Sequence, residues 1–217
     1  MNIKAALCFI FALFFFPNAV APNYELTAAS FFLALFCEFL LGLVAGLALQ
    51  LSFAVLQMAG ELIGFTMGFS IASVLDPNTG TQTPVISQVI YLIALLMFLG
   101  FDGHHALLLA IAQSKLALGS FALDESLISY LIKASAKVYL LGFMLAFPII
   151  AMSLLADFIF GILMKTMPQF NLLVVGYPLK IGLSFFVLTS VLAAIMLSSK
   201  GLIIAALGLI ARLFNAS

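Results

Sequence analysis

Charge is what this chain has least of. Asp, Glu, Lys and Arg make up 7% of its 217 residues, hydrophobic residues make up 65%, and the mean hydropathy is +1.32. A soluble domain has to solvate much of its surface, and this composition cannot do so. The chain is therefore an integral membrane protein. Acidic and basic residues balance to a net charge of zero, which removes the electrostatic case for nucleic acid or a strongly charged partner. Cysteine is scarce too: Cys8 and Cys37 both lie inside apolar runs and read as small apolar side chains, not as a disulfide. Tryptophan is missing while phenylalanine numbers 23, so there is no Trp belt at the membrane interface. The sequence has no Walker lysine loop, no helical HExxH, no Gly-x-Ser-x-Gly turn and no paired-Asp motif. No nucleotide site and no hydrolytic centre can be drawn from it, so an enzyme is not the expectation.

What is present centres on the stretch 60–84, GELIGFTMGFSIASVLDPNTGTQTP. Gly60, Gly64, Gly68 and Ala72 recur every four residues, which on a helix makes a face almost free of side chains, a packing ridge against which another helix can approach closely. Asp76, Pro77, Asn78 and Gly80 are turn residues, and Pro84 closes the stretch. A helix with a small-residue face thus leads through Phe69, Ile71, Val74 and Leu75 into a neutral polar loop.

Upstream, Lys4, the apolar run 5–16, Pro17 and Ala19-Val20-Ala21 suit either a secretory signal peptide or a short retained membrane helix. Residues 26–73 contain no proline and only Glu38 and Glu61 as charges. As one helix they would extend about 70 Å, more than twice a hydrocarbon core, which predicts a bend or break near Gln50 to Gln57. Gly42 and Gly46 would give the first half its own small-residue pair, suited to a tight hairpin or to other chains.

Downstream, 85–99 and 106–118 flank Gly100-Phe101-Asp102-Gly103-His104-His105. Each is about 22 Å long as helix, too short to cross upright, so the pair predicts a re-entrant hairpin or helices shielded by protein. The segment 119–137 carries Asp124, Glu125, Lys133 and Lys137 and reads as an exposed connection. Residues 138–164 form an apolar helix interrupted by Pro148, and 171–197 a second, with Pro178 and Lys180 near its start. Together they make a hairpin broken by proline in both arms. Basic residues fail to orient this set: Lys133 and Lys137 precede the 138–164 helix and Lys165 follows it. Helices that do not cross a bilayer in the ordinary way would account for both the failed charge rule and the short pair.

The polar residues inside these runs have modest readings. Glu61 and Asp157 each cost about 2.5–3.5 kcal/mol at a helix centre in lipid, so buried polar contacts are expected for both, with Lys180 snorkelling or paired. Adjacent histidines point to different sides of a helix and no further ligand cluster stands near them, so Asp102, His104 and His105 are not read as a metal site, and no cofactor is expected. A small-molecule transporter would need inverted repeats around a charged midplane site. No repeat with matching residues surrounds Pro148 and Pro178.

The strings GELIGFTMGFSIASVLDP, FLGFDGHH, MLAFPI and MPQFNLLVVGYPLK, in this order and spacing, closely resemble the flagellar biosynthetic protein FliR family over about residues 25–200. The Asn78 to Thr83 stretch is also similar to the related export-gate component of virulence type III secretion (injectisome) systems. The resemblance implies a single all-helical export-gate domain over 1–217, an integral membrane arrangement of helical hairpins with short and kinked helices and an internal plug loop. It implies a non-enzymatic subunit of the flagellar protein export gate in the bacterial inner membrane, at the basal body. The implied partners are FliP-like and FliQ-like subunits, FlhB-like and FlhA-like components, and unfolded export substrates, with lipid around them. The loop matching about 68–84 implies a channel plug whose residues here are Phe69, Ile71, Val74, Leu75, Asp76 and Pro77. Some relatives carry aromatics where this chain has Ile71 and Val74, so an apolar seal is implied in place of an aromatic one. The resemblance also makes 4–16 a retained helix, and the family's further N-terminal helix has no counterpart before it.

Overall fold

The computed structural model describes residues 2–18, 27–68, 85–112, 125–167 and 172–215. Every element among them is helical, as expected for a chain whose backbone polar groups must pair within their own segment once water is excluded. Helix α1 runs Asn2–Phe15 and ends in a 3-10 turn, Phe16–Asn18, that contains Pro17. The others are α2 (Ala28–Thr66), α3 (Val85–Gly100), α4 (Gly103–Ala112), α5 (Glu125–Thr166) and α6 (Tyr177–Asn215), the last preceded by a π turn, Leu172–Gly176.

Three helices are long and apolar enough to cross a membrane, and the bent pair α3–α4 makes a fourth if counted as one span. The pair departs from one of the two arrangements expected of it, the hairpin. It bends by 56°, so it does not fold back into a hairpin. Helix α2 departs further: it is continuous through Gln50 and Gln57 for 39 residues, about 58 Å. The predicted break assumed lipid at both ends of the segment. Residues 28–66 contain no proline, and glutamine is a good helix former, so nothing local opens the backbone. Gly42, Gly46, Gly60 and Gly64 therefore share one helix and cannot face each other as a hairpin.

Helix α5 also runs longer than expected. Residues 125–137, expected as part of an exposed connection over 119–137, form its first turns; 119–124 lie outside the described residues. Pro148 sits inside α5 without ending it. The carbonyl four residues back loses its donor there, but Ala146 and Ile149 on either side are fully buried and the packing holds the helix together. Pro178 lies in the first turn of α6, where its missing N–H is an orphan anyway, so that arm is not broken at mid-length. Lys200 likewise lies inside α6.

The chain divides into two packed units. One comprises Met1–Gln50, Phe98–Ile132 and Ile203–Ser217. In it Leu41 and Val44 pack with Leu131, Leu213 and Phe214, and Ala45 and Ala48 close on Ala110 and Ile210. The other comprises Leu51–Met97 and Lys133–Leu202. Its core is Leu56 and Ile63 from α2 with Met67 just past its end, Ile86, Ile90 and Ala94 from α3, Ala146 and Ile149 from α5, and Leu188 and Ile195 from α6.

Contacts within the second unit give helix direction. Gly142 meets Val55 and Met58, and Ser153 meets Thr66, so α2 and α5 run parallel. Ser52 bonds Leu202, while Gly68 meets Tyr177, so α6 runs antiparallel to α2. Ser87 bonds Gln57 and Tyr91 packs on Phe53, so α3 is antiparallel as well. Helices α2 and α3 form one antiparallel pair and α5 and α6 another, and the C-terminal ends of α2 and α5 lie with the N-terminal ends of α3 and α6.

Candidate functional site

The site is built where α2 ends. Its last helical residue is Thr66, and Gly68 follows at φ +92° with its N–H donating to the Phe65 carbonyl over 3.1 Å. Only glycine takes that conformation without strain, and glycine just past a helix end is the usual stop signal. This corrects the sequence reading of the packing ridge. Gly60 and Gly64 are buried members of α2, but Gly68 is the terminator of that helix and not its next turn. Ala72 lies outside the described residues, as do Phe69, Ile71, Val74, Leu75, Asp76 and Pro77.

Three helices hold this terminus. A Cβ on Gly60 would stand 2.6 Å from the Ser87 Cα, and Ser87 Oγ donates to the Gln57 carbonyl over 3.2 Å. Helix α3 thus starts by lying backbone to backbone on α2. From α5, the buried Ser153 hydroxyl donates to the Thr66 carbonyl, one of the acceptors that a helix end leaves without an intrahelical partner. From α6, the Tyr177 ring packs at Gly68, 3.3 Å from where a Cβ would be. The segment 69–84 therefore leaves at Gly68 and returns at the level of Gly60, about 12 Å back along α2.

One turn beyond Ser153, Asp157 accepts two hydrogen bonds from Lys180 Nζ, at 2.7 and 2.8 Å. Lys180 is one turn beyond Tyr177. The Lys180 side chain is only 9% exposed and that of Asp157 is 53% exposed. An ammonium placed so deep needs a carboxylate, and α5 supplies it on the same face that caps α2. Ser184, the next turn of α6, is buried with its hydroxyl unpaired among the described residues. Glu61 is half-buried and accepts from Gln57 Nε2 at 3.1 Å along its own helix. It does not join the Asp157–Lys180 pair.

Sequence reasoning missed Ser87 and Ser153. Ser153 and Asp157 are four apart on an otherwise apolar helix, so a polar stripe was available to find. Nothing in the sequence pointed Ser87 at Gly60.

The other polar cluster is at the α3–α4 bend. Asp102 has φ +55° and Gly103 follows with no room for a side chain, a Cβ there meeting the Phe98 ring at 2.4 Å. The expectation that the two imidazoles diverge fails. His105 Nδ1 lies 3.2 Å from His104 Nε2 and 3.9 Å from Asp102 Oδ1. The side-chain torsions of the two residues bring the rings together, with centroids 4.9 Å apart.

The chain matches the family described as "Bacterial export proteins, family 1" over residues 1–213, so α1 lies within the match. It is similar to the flagellar biosynthetic protein FliR of Bacillus subtilis (strain 168), 40% identical over 173 residues, covering 77% of this chain and 66% of the relative. It is also similar to FliR of Escherichia coli (strain K12), 34% identical over 161 residues, 73% of this chain and 60% of the relative. With FliR of Pectobacterium carotovorum subsp. carotovorum it is 35% identical over 155 residues, 70% of this chain and 59% of the relative. The chain thus spans 59–66% of the length of these relatives. The resemblance read from its motifs is borne out, and the chain belongs to the family 1 bacterial export proteins.

Proposed function

We propose that this chain is a non-enzymatic subunit of the flagellar type III protein export gate in the bacterial inner membrane, at the flagellar basal body. It assembles with FliP-like and FliQ-like subunits around a channel for unfolded flagellar proteins, with FlhB-like and FlhA-like components as further partners. The observation that carries this reading is the family match over residues 1–213, together with relatives named for flagellar biosynthesis.

The helices support it. The most apolar windows of the three long helices are only 11–22% buried by the chain itself. Lipid could cover part of that surface. Helix α2, however, is nearly twice as long as the roughly 30 Å hydrocarbon core, so other apolar helices must cover much of the rest.

The loop 68–84 is the plug of this gate, and the anchored end of α2 is its base. A passage for unfolded protein has to stay closed to ions at rest, and an apolar constriction does this by dewetting. Phe69, Ile71, Val74 and Leu75 supply the apolar groups, and Asp76-Pro77 turns the chain after them. Such a seal yields without breaking strong bonds, since an arriving polypeptide supplies replacement contacts. The Ser87, Ser153 and Tyr177 contacts fix the stem from which the plug departs.

Purification of the tagged chain in mild detergent, after co-expression with its genomic neighbours, tests the assignment. The expected product is a large complex with several FliP-like and FliQ-like subunits per tagged chain. A lone monomer or homodimer contradicts it, and virulence-type partners in place of flagellar ones would move the chain to an injectisome gate.

A further inference from the structure

We propose that the bend between α3 and α4 is a binding site for a divalent transition-metal ion of the zinc type, formed by Asp102, His104 and His105. Three ligand atoms of a suitable kind, one from each residue, lie within 4.8 Å of one another. Two nitrogens bound to one zinc ion at about 2.0–2.1 Å with tetrahedral angles stand about 3.3 Å apart. His104 Nε2 and His105 Nδ1 stand 3.2 Å apart. Asp102 Oδ1 lies 3.9 Å from His105 Nδ1, and the whole set extends to 4.8 Å; the Asp102 side chain is 79% exposed and free to rotate inward onto a bound ion. Two imidazoles and one carboxylate are a donor set suited to zinc, iron(II) or nickel, with open positions left for water or a neighbouring group.

The second observation is the state of His104. Its Nδ1 is buried with no hydrogen-bond partner among the described residues, and its Nε2 has only the other imidazole. With Nδ1 turned into the protein, Nε2 is the nitrogen that His104 presents to the cluster, directly opposite His105 Nδ1. The backbone underneath is fixed. Asp102 donates to the Leu99 carbonyl at 3.1 Å and accepts from Ala106 at 3.0 Å, and the buried Phe98 ring fills the space under Gly103. A first shell on a rigid turn needs little reorganisation to bind. The positive-φ position is held by aspartate, one of the few non-glycine residues that adopts it, and it brings a carboxylate to the pair. This site is independent of the gate assignment.

The test uses the full chain, purified with a tag that contains no histidine and titrated with Co²⁺. Saturation at one ion per chain with visible ligand-field bands is expected, together with at least an approximately tenfold loss of affinity in H104Q/H105Q and a smaller loss in D102N. The absence of stoichiometric binding, or unchanged affinity in H104Q/H105Q, overturns the proposal. Electron paramagnetic resonance of Cu²⁺ on the unsubstituted chain decides the matter without any variant. Splitting from two imidazole nitrogens is expected, and a spectrum without nitrogen coupling overturns the site.

Discussion

The Ser153 hydroxyl on α5 donates to the carbonyl of Thr66, the last helical residue of α2. The bond joins residues 87 positions apart and caps the point from which the segment 69–84 departs. Ser153 and Thr66 thus tie the end of α2 to α5. In Ser153→Ala the part-buried Thr66 carbonyl loses this partner, which costs about 1–3 kcal/mol. Thermal unfolding of the purified chain should show that loss, and limited proteolysis should cut 69–84 faster. An unchanged midpoint would mean that water replaces the hydroxyl.

The two small-residue pairs on α2 should behave oppositely. A Cβ at Gly60 meets the Ser87 backbone at 2.6 Å, whereas one at Gly42 or Gly46 meets nothing within 4 Å in this chain. Gly60→Ala should destabilise by about 1–3 kcal/mol through overpacking. Gly42→Ala should be neutral or stabilising by up to about 1 kcal/mol, because alanine is the better helix former. Parallel unfolding curves of the two isolated variants check this, and equal losses would contradict the α2–α3 contact.

The Asp157–Lys180 pair should show the asymmetry of a partly buried ion pair. Asp157→Ala leaves a deep ammonium without its counter-charge and should cost about 2–4 kcal/mol, below the full value for a sealed pair because the Asp157 side chain is half exposed. Replacing both residues by leucine removes the desolvation demand along with the attraction and should cost less than either single change. A double variant less stable than both singles would show that the pair adds more than it costs.

How far the sequence could be read depends on which physical signal each feature leaves. Composition alone excluded a soluble fold, and the unbroken apolar runs located every long helix. The motif strings around Gly60, Gly103, Pro148 and Pro178 carried the family. Helix ends and directions were less legible. Gly68 continued a perfect four-residue spacing, yet it stops the helix, because a glycine serves a ridge and a terminator equally well. The break expected near Gln50 does not occur, since bilayer thickness limits a helix only where lipid surrounds it. The pairing of Asp157 with Lys180, 23 positions away, follows from the turn between their helices, which residue spacing does not encode. His104 and His105 converge through their side-chain torsions, which residue periodicity does not reveal.

The proposed plug, the loop that departs at Gly68, would close an export channel. The most direct measurement replaces residues 74–83 by a short Gly-Ser linker in the full chain, co-expresses it with its partners, and reads small-ion leakage of the cells against the unaltered complex. The account predicts a raised leak with the complex still assembled. An assembled complex with unchanged conductance would contradict it.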